Sequence, residues 1–65
     1  MKNRIKVARA EFDMTQADLA KRAGVSRQTI NAMELGKYVP STVLALKIAQ
    51  CLNCKVEDLF KLPQN

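Results

Sequence analysis

The sequence predicts an all-α fold, namely a compact bundle of five short helices. Its 65 residues include only two Gly, two Pro and three aromatic residues, whereas Ala, Leu, Lys and Gln are frequent, and this composition favours helix over strand. Residues that cap or end helices recur at short intervals, with apolar residues at helical spacing between them. A chain of this length buries only about 60% of the surface that its unfolded form exposes, so we expect one domain over residues 1–65 with a small stability margin.

The first two helices are predicted from their caps. Residues 3–12 form the first helix, with Asn3 as its N-cap. Thr15 begins the second helix, and the T-x-x-D pattern that starts there is a shortened capping box, in which side chains satisfy backbone groups that lack a helical partner. Gly24 ends this helix, at the position where a left-handed backbone favours glycine.

Two further helices follow at equally short intervals. Ser26 is the predicted N-cap of a third helix over about residues 27–35, and Gly36 ends it. Ser41 caps a fourth helix with a broad apolar stripe. Asn53 tolerates the left-handed backbone that would end that helix.

The fifth helix is short and covers residues 56–60, with two acidic residues at its positive N-terminal end. The alternation Phe60-Lys61-Leu62 is also compatible with a short C-terminal strand. The inner faces of all five helices are expected to form a single core.

The charge of the chain suggests a polyanionic partner. The net charge is +5 and the isoelectric point is near 9.6, which points to nucleic acid first and to an anionic membrane second. No apolar run approaches the ~18 residues of a membrane span, and no signal peptide pattern is present. We therefore expect a protein of the cytoplasm or the nucleoid that does not enter a membrane.

The sequence offers no constellation of catalytic residues. It contains no His, no Gly-rich phosphate loop and no nucleophile beside an evident base. We expect neither an enzyme nor a bound cofactor, metal or small-molecule ligand.

Cys51 and Cys54 form a C-x-x-C pattern, which is compatible with a redox pair or half of a zinc site. Zinc needs two further ligands, and the redox interpretation needs a thioredoxin-like βαβ context, which is absent. We favour half-buried structural thiols, while a zinc site shared across a dimer stays open.

The second and third helices are joined by very few residues, which is the helix-turn-helix arrangement, at about residues 15–35. The run TQADLAKRAGVSRQTINAMELGK, residues 15–37, resembles the phage repressor and Cro family of transcriptional regulators. The matching features are Thr15-Gln16, Leu19-Ala20, Ala23-Gly24-Val25-Ser26, Ile30, Glu34 and Gly36-Lys37. Later stretches resemble short stand-alone members, namely Pro40-Ser41, Leu44-Ala45-Leu46-Lys47-Ile48-Ala49 and Glu57-Asp58-Leu59-Phe60. The resemblance covers about residues 4–62 and implies a sequence-specific regulator that binds double-stranded DNA.

The outward face of the third helix carries the predicted base contacts. With Ile30 and Met33 facing the core, a step of 100° per residue leaves a polar face outside. Its members are Arg27, Gln28, Thr29, Asn31 and Ala32. Gln pairs with adenine, Arg with guanine, and the Ala methyl contacts the thymine methyl. The alternative is that these residues form only the solvated face of an amphipathic helix.

The resemblance also implies contacts to the DNA backbone. The predicted phosphate contacts are Gln16, Ser26, Lys37 and Tyr38. For Gln16 and Ser26, free N–H groups at a helix start add a physical reason, whereas Tyr38 has the alternative of covering the core.

In the family that the chain resembles, an Arg of the first helix pairs with a Glu at the end of the third. Arg9 and Glu34 occupy these positions. We expect a partly buried salt bridge that holds the recognition helix on the bundle, with two unrelated surface charges as the alternative.

The sequence departs from the family pattern at three positions. Leu35 replaces the usual Asn, so a polar contact near the DNA is lost. Ala8 is smaller than the usual Leu and leaves room in the core for Phe12 or Met14. Ala32 offers no hydrogen bond. These changes affect the expected target sequence and leave the class of activity unchanged.

One helix-turn-helix reads only a few base pairs, so we expect a homodimer, acting as a repressor on a palindromic operator. The predicted interface is an exposed apolar patch of Leu59, Phe60 and Leu62. The alternation Phe60-Lys61-Leu62 is also compatible with a short strand that pairs across the two-fold axis. The alternative function is an antitoxin or protein-interaction module with the same fold.

Overall fold

The computed structural model describes residues 2–61, and the five predicted helices are all present there. Their bounds are α1 Ile5–Glu11, α2 Gln16–Ala23, α3 Arg27–Glu34, α4 Thr42–Cys51 and α5 Val56–Leu59, with two short strands, β1 Lys2–Asn3 and β2 Phe60–Lys61. Helix α3 packs against α2 and also contacts β1, while α4 packs against α2 and α5. None of the helices in this part of the chain has the length and apolar character needed to cross a bilayer.

The ends of α2 follow the predicted capping chemistry. The Thr15 hydroxyl accepts a hydrogen bond from the backbone N–H of Asp18 at 3.0 Å, and the Asp18 carboxylate accepts one from the backbone N–H of Thr15 at 3.1 Å. Gly24 adopts a left-handed backbone with φ of +75°. A Cβ built at Gly24 would meet no atom within 4 Å, so the backbone conformation alone favours glycine at this turn.

The caps of α3 and α4 also agree with the sequence. The Ser26 hydroxyl accepts a hydrogen bond from the backbone N–H of Thr29, and the Ser41 hydroxyl accepts one from that of Leu44. Asn53 takes the predicted left-handed backbone, with φ of +52°. Side-chain oxygens therefore satisfy orphan N–H groups at the start of both helices.

The first helix begins later than predicted, because Asn3 belongs to strand β1. The Asn3 side chain does accept a hydrogen bond from the backbone N–H of Ile5, at 3.2 Å. Its amide nitrogen also donates to the backbone oxygen of Met33, and this long-range bond ties the N-terminal segment to α3.

The C-terminal strand pairs within the chain. Strand β2 is antiparallel to β1, with Lys2 opposite Lys61 and Asn3 opposite Phe60. Strand β1 therefore occupies one of the two edges of β2. Pairing of a strand at Phe60-Lys61-Leu62 across a two-fold axis stays a prediction, and Leu62 lies outside the described residues.

The core lies between the five helices and consists of apolar side chains. Its fully buried large members are Ile5, Leu19, Ile30, Met33, Ile48, Leu52 and Leu59. Of the two side chains proposed to fill the space left by Ala8, Met14 is buried in the core, whereas Phe12 is 51% exposed. The prediction that Leu59 forms part of an exposed apolar patch is wrong, because only 1% of this residue is exposed.

Candidate nucleic-acid interface

The outward face of α3 presents the predicted base-contacting residues to solvent. Ile30 and Met33 are completely buried, which fixes the rotation of the helix about its axis. Arg27, Gln28 and Asn31 are exposed on the opposite side. The two remaining members of the predicted set, Thr29 and Ala32, are only partly exposed and flank this face.

A shallow, open cleft of about 350 Å³ lies on this surface. It is lined by Gln16 of α2 and by Arg27, Gln28 and Asn31 of α3. The structure thus brings one of the predicted phosphate-contacting residues next to three of the predicted base-contacting residues. All four side chains are polar, and their amide and guanidinium groups match the hydrogen-bonding groups on the edges of DNA bases.

An ion pair joins the first and third helices, as expected for Arg9 and Glu34. Arg9 Nε donates to Glu34 Oε2 at 2.6 Å, and a terminal nitrogen of the same guanidinium donates to Glu34 Oε1 at 3.2 Å. The side chains are only 13% and 7% exposed. A third hydrogen bond runs from Arg9 to the backbone oxygen of Met14. Arg9 therefore holds both the end of α3 and the connection that leads into α2.

Gln16 takes part in the same network, which the sequence did not predict. Its Nε2 donates to Glu34 Oε1 at 3.1 Å and to Asn31 Oδ1 at 3.2 Å. The phosphate contact assigned to Gln16 would need a donor, and both hydrogens of this nitrogen are engaged within the protein. Asn31 and Glu34 follow Gln16 by 15 and 18 positions and lie on another helix. No rule of helical spacing connects such residues, so only the fold reveals these hydrogen bonds.

The network also sets the ionisation of Glu34. Burial by itself would raise the pKa of this carboxyl. The hydrogen bonds from Arg9 and Gln16, together with the positive charges of Arg9 and Lys6, outweigh that effect, so the pKa lies below its ordinary value. Glu34 is consequently a carboxylate at neutral pH and can only accept hydrogen bonds.

The other predicted phosphate contacts lie on the surface around the ends of α3. Ser26 is exposed, but its hydroxyl already caps α3 and shares a 2.9 Å hydrogen bond with the Thr29 hydroxyl. Lys37 and Tyr38 follow α3 and are exposed. Tyr38 is 45% exposed and does not belong to the core cluster.

Apolar side chains form a second exposed surface on α4 and the segment before it. Val39, Val43 and Leu46 are each more than half exposed. Val39 and Leu46 line an apolar groove of about 290 Å³ together with Phe60, and Val43 lies three residues before Leu46 on α4. Of the two described residues of the predicted dimer patch, Leu59 and Phe60, the structure places Phe60 on an open apolar surface.

The two cysteines are free thiols, and both are half-buried. Burial, together with the charges of Asp58 and Glu11, raises the pKa of Cys54 and so favours its neutral thiol. Among residues 2–61 no three potential metal ligands of the Cys, Asp or Glu type lie close enough to hold an ion.

Comparison with known proteins relates both sequence and fold to transcriptional regulators. A helix-turn-helix family model matches residues 5–59. Uncharacterised helix-turn-helix-type transcriptional regulators of Archaeoglobus fulgidus and Methanocaldococcus jannaschii are each 58% identical over 60 residues, which is 92% of this chain and 84% and 91% of those proteins. Among solved structures, the restriction-modification controller protein of Aeromonas hydrophila superposes with a TM-score of 0.81 at 30% identity, covering 88% of this chain and 86% of that protein.

Proposed function

Because the chain belongs to the helix-turn-helix family of transcriptional regulators, we propose that it binds a specific palindromic sequence of double-stranded DNA as a homodimer and represses transcription there. The observation that carries this proposal is the exposed polar face of α3, with Arg27, Gln28 and Asn31 gathered at one cleft. Exposed polar side chains on a helix of this kind are suited to the major groove, where each base pair has a distinct hydrogen-bonding pattern. The family is one of DNA-binding regulators and not of enzymes.

The proposed repression is argued from how much DNA a single recognition helix contacts. The described part of the chain holds one recognition helix, which contacts only a few base pairs. A protein that occupies two half-sites acts most simply by blocking the DNA it covers. In this proposal the basic net charge of +5 attracts the phosphates, and Lys37, Tyr38 and the N-terminal end of α3 at Ser26 position the helix against them.

We propose that the dimer forms through the apolar surface of α4. Exposed side chains of Val39 and Leu46 line the groove with Phe60, and exposed Val43 lies three residues before Leu46, on the same side of α4. A two-fold axis would place the same patch of a second copy against this surface. A standard interface buries about 800 Å² per partner, which is about a sixth of the 4772 Å² surface of the chain. This surface replaces the predicted patch, since Leu59 is buried and cannot contribute.

DNA binding is tested by fluorescence anisotropy with DNA selected in vitro, at two salt concentrations. We expect a steep loss of affinity with salt, because each neutralised phosphate contributes a slope of about −0.9 in a plot of log affinity against log salt.

Lys37→Ala should weaken binding to all sequences alike and reduce the slope by about one. Gln28→Ala should instead lower discrimination at one base pair. Absence of binding to selected and random DNA at low salt would rule the function out.

The dimer is tested by sedimentation of Val43→Asp at micromolar concentration. Val43 lies in the first turn of α4, where an added carboxylate is compatible with the helix dipole, so we expect a folded monomer. Val7→Asp is the matched control, because Val7 is an exposed valine of α1 outside the proposed interface, and it should sediment like the wild type. Equal masses for all three proteins would place the interface elsewhere or exclude the dimer. A wild-type monomer bound by a different protein would support the antitoxin or interaction-module alternative.

A further inference from the structure

We infer that Gln16 fixes the amide of Asn31 so that Asn31 offers hydrogen-bond donors to DNA and reads guanine in preference to adenine. This inference rests on the proposed DNA-binding function and names the base that one residue of the cleft would recognise. Gln16 is here a positioning residue, which acts through Asn31.

The ion pair between Arg9 and Glu34 determines which atom donates and which accepts in the hydrogen bonds that lead from Glu34 through Gln16 to Asn31. The guanidinium of Arg9 can only donate, and the carboxylate of Glu34 can only accept. The Gln16 atom that lies 3.1 Å from Glu34 Oε1 must therefore be the amide nitrogen, since an amide oxygen there would face another acceptor. The ion pair thus determines which way round the Gln16 amide stands.

The same reasoning passes from Gln16 to Asn31. The Gln16 nitrogen lies 3.2 Å from an amide atom of Asn31, and only an oxygen can accept its second hydrogen. Oδ1 of Asn31 consequently faces Gln16. Because Oδ1 and Nδ2 branch from Cγ in different directions in the plane of the amide, an Oδ1 that faces Gln16 leaves Nδ2 pointing elsewhere, on a side chain that is exposed to solvent.

The fixed amide changes the base that Asn31 suits best. An Asn side chain usually pairs with adenine by accepting from N6 and donating to N7, and this arrangement requires Oδ1 to point at the base. In this protein the hydrogen bond to Gln16 holds Oδ1 toward α2 and leaves the two hydrogens of Nδ2 for the DNA. Guanine presents two acceptors, N7 and O6, in the major groove, which makes it the complementary purine.

The test is a binding panel in which every base pair of the selected operator is replaced in turn. Asn31→Ala identifies the pair that Asn31 contacts, since discrimination is lost there. At that pair we expect wild-type protein to prefer guanine over adenine by roughly tenfold, within the range for a good base contact. Replacing this guanine with 7-deazaguanine, which lacks the N7 acceptor, should remove much of the preference.

The variant Gln16→Ala tests the positioning role. Without its partner the Asn31 amide can rotate, so the preference for guanine over adenine should fall to about twofold or less at this pair alone. Gln28→Ala is the control, because it should change discrimination at another base pair and leave the guanine preference intact. Thermal unfolding checks that each variant folds. If Gln16→Ala does not fold, the inference is judged from the preference of the wild-type protein for guanine or adenine at this base pair.

Three results would overturn the inference while DNA binding stands. They are a wild-type preference for adenine at this pair, a guanine preference that Gln16→Ala leaves unchanged, and an Asn31→Ala variant that alters discrimination nowhere. A wild type that shows no sequence preference at all would instead refute the proposed function, and the inference with it.

Discussion

Arg9→Ala is expected to lower the free energy of unfolding by about 3 kcal/mol, the lower end of the range for breaking a buried ion pair. The Glu34 carboxylate, of which only 7% is exposed, would lose two charge-assisted hydrogen bonds and retain only the one from Gln16. The backbone oxygen of Met14 would lose its bond to Arg9 as well. A domain of this length is stable by roughly 3–10 kcal/mol in total, so the loss would be a large share.

Urea unfolding at pH 7, followed by circular dichroism, measures this effect. Arg22→Ala is the matched control, because it removes the same side chain from an exposed position of α2, where changes are usually within about 0.5 kcal/mol. If the two variants unfolded at the same urea concentration, the Arg9–Glu34 pair would contribute nothing beyond a surface charge.

The pH dependence of unfolding gives a second measurement of the same ion pair. The pKa of Glu34 is lower in the folded chain than its ordinary value of 4.5, so its contribution is fully present above that pH. It is lost as the pH falls through the lower, folded pKa. Asp18 behaves in the same direction, since hydrogen bonds from the backbone and side chain of Thr15 lower its pKa. In Glu34→Gln the contribution of Asp18 should remain and that of Glu34 should be absent.

The helices were predictable because their ends are determined locally. Thr15, Ser26 and Ser41 cap the backbone within three residues of themselves, and Gly24 takes the left-handed conformation that its lack of a side chain permits. Strand β1 was not predictable, because its two residues have no pattern of their own. It forms only where the fold brings the start of the chain next to β2.

The candidate site likewise has features that the local sequence pattern predicts and features that depend on contacts between distant segments. The exposed face of α3 follows from the period of the helix once Ile30 and Met33 are placed inside. The burial of Leu59 and the bonds from Gln16 depend on contacts between distant segments. An apolar residue near the C-terminal end is equally compatible with a core and an interface, so its burial is decided by packing and not by its identity.

Ile30→Ala is expected to destabilise the protein by about 3 kcal/mol, within the 2–5 kcal/mol typical of such truncations in a core. Ile30 is completely buried on the inner face of α3, so the variant loses apolar burial and leaves a cavity beside α2. Urea unfolding at pH 7 measures the loss as a lower midpoint concentration of urea.

Leu35→Ala separates the effect of burial from the effect of losing apolar atoms. Both substitutions remove three carbon atoms, and Leu35 lies at the C-terminal end of the same helix with 60% of its surface exposed. We expect it to cost less than about 0.5 kcal/mol. Equal losses for the two variants would mean that Ile30 does not hold α3 in its orientation. The assignment of Arg27, Gln28 and Asn31 to the DNA-facing side would then fail too, because it depends on which face of the helix is buried.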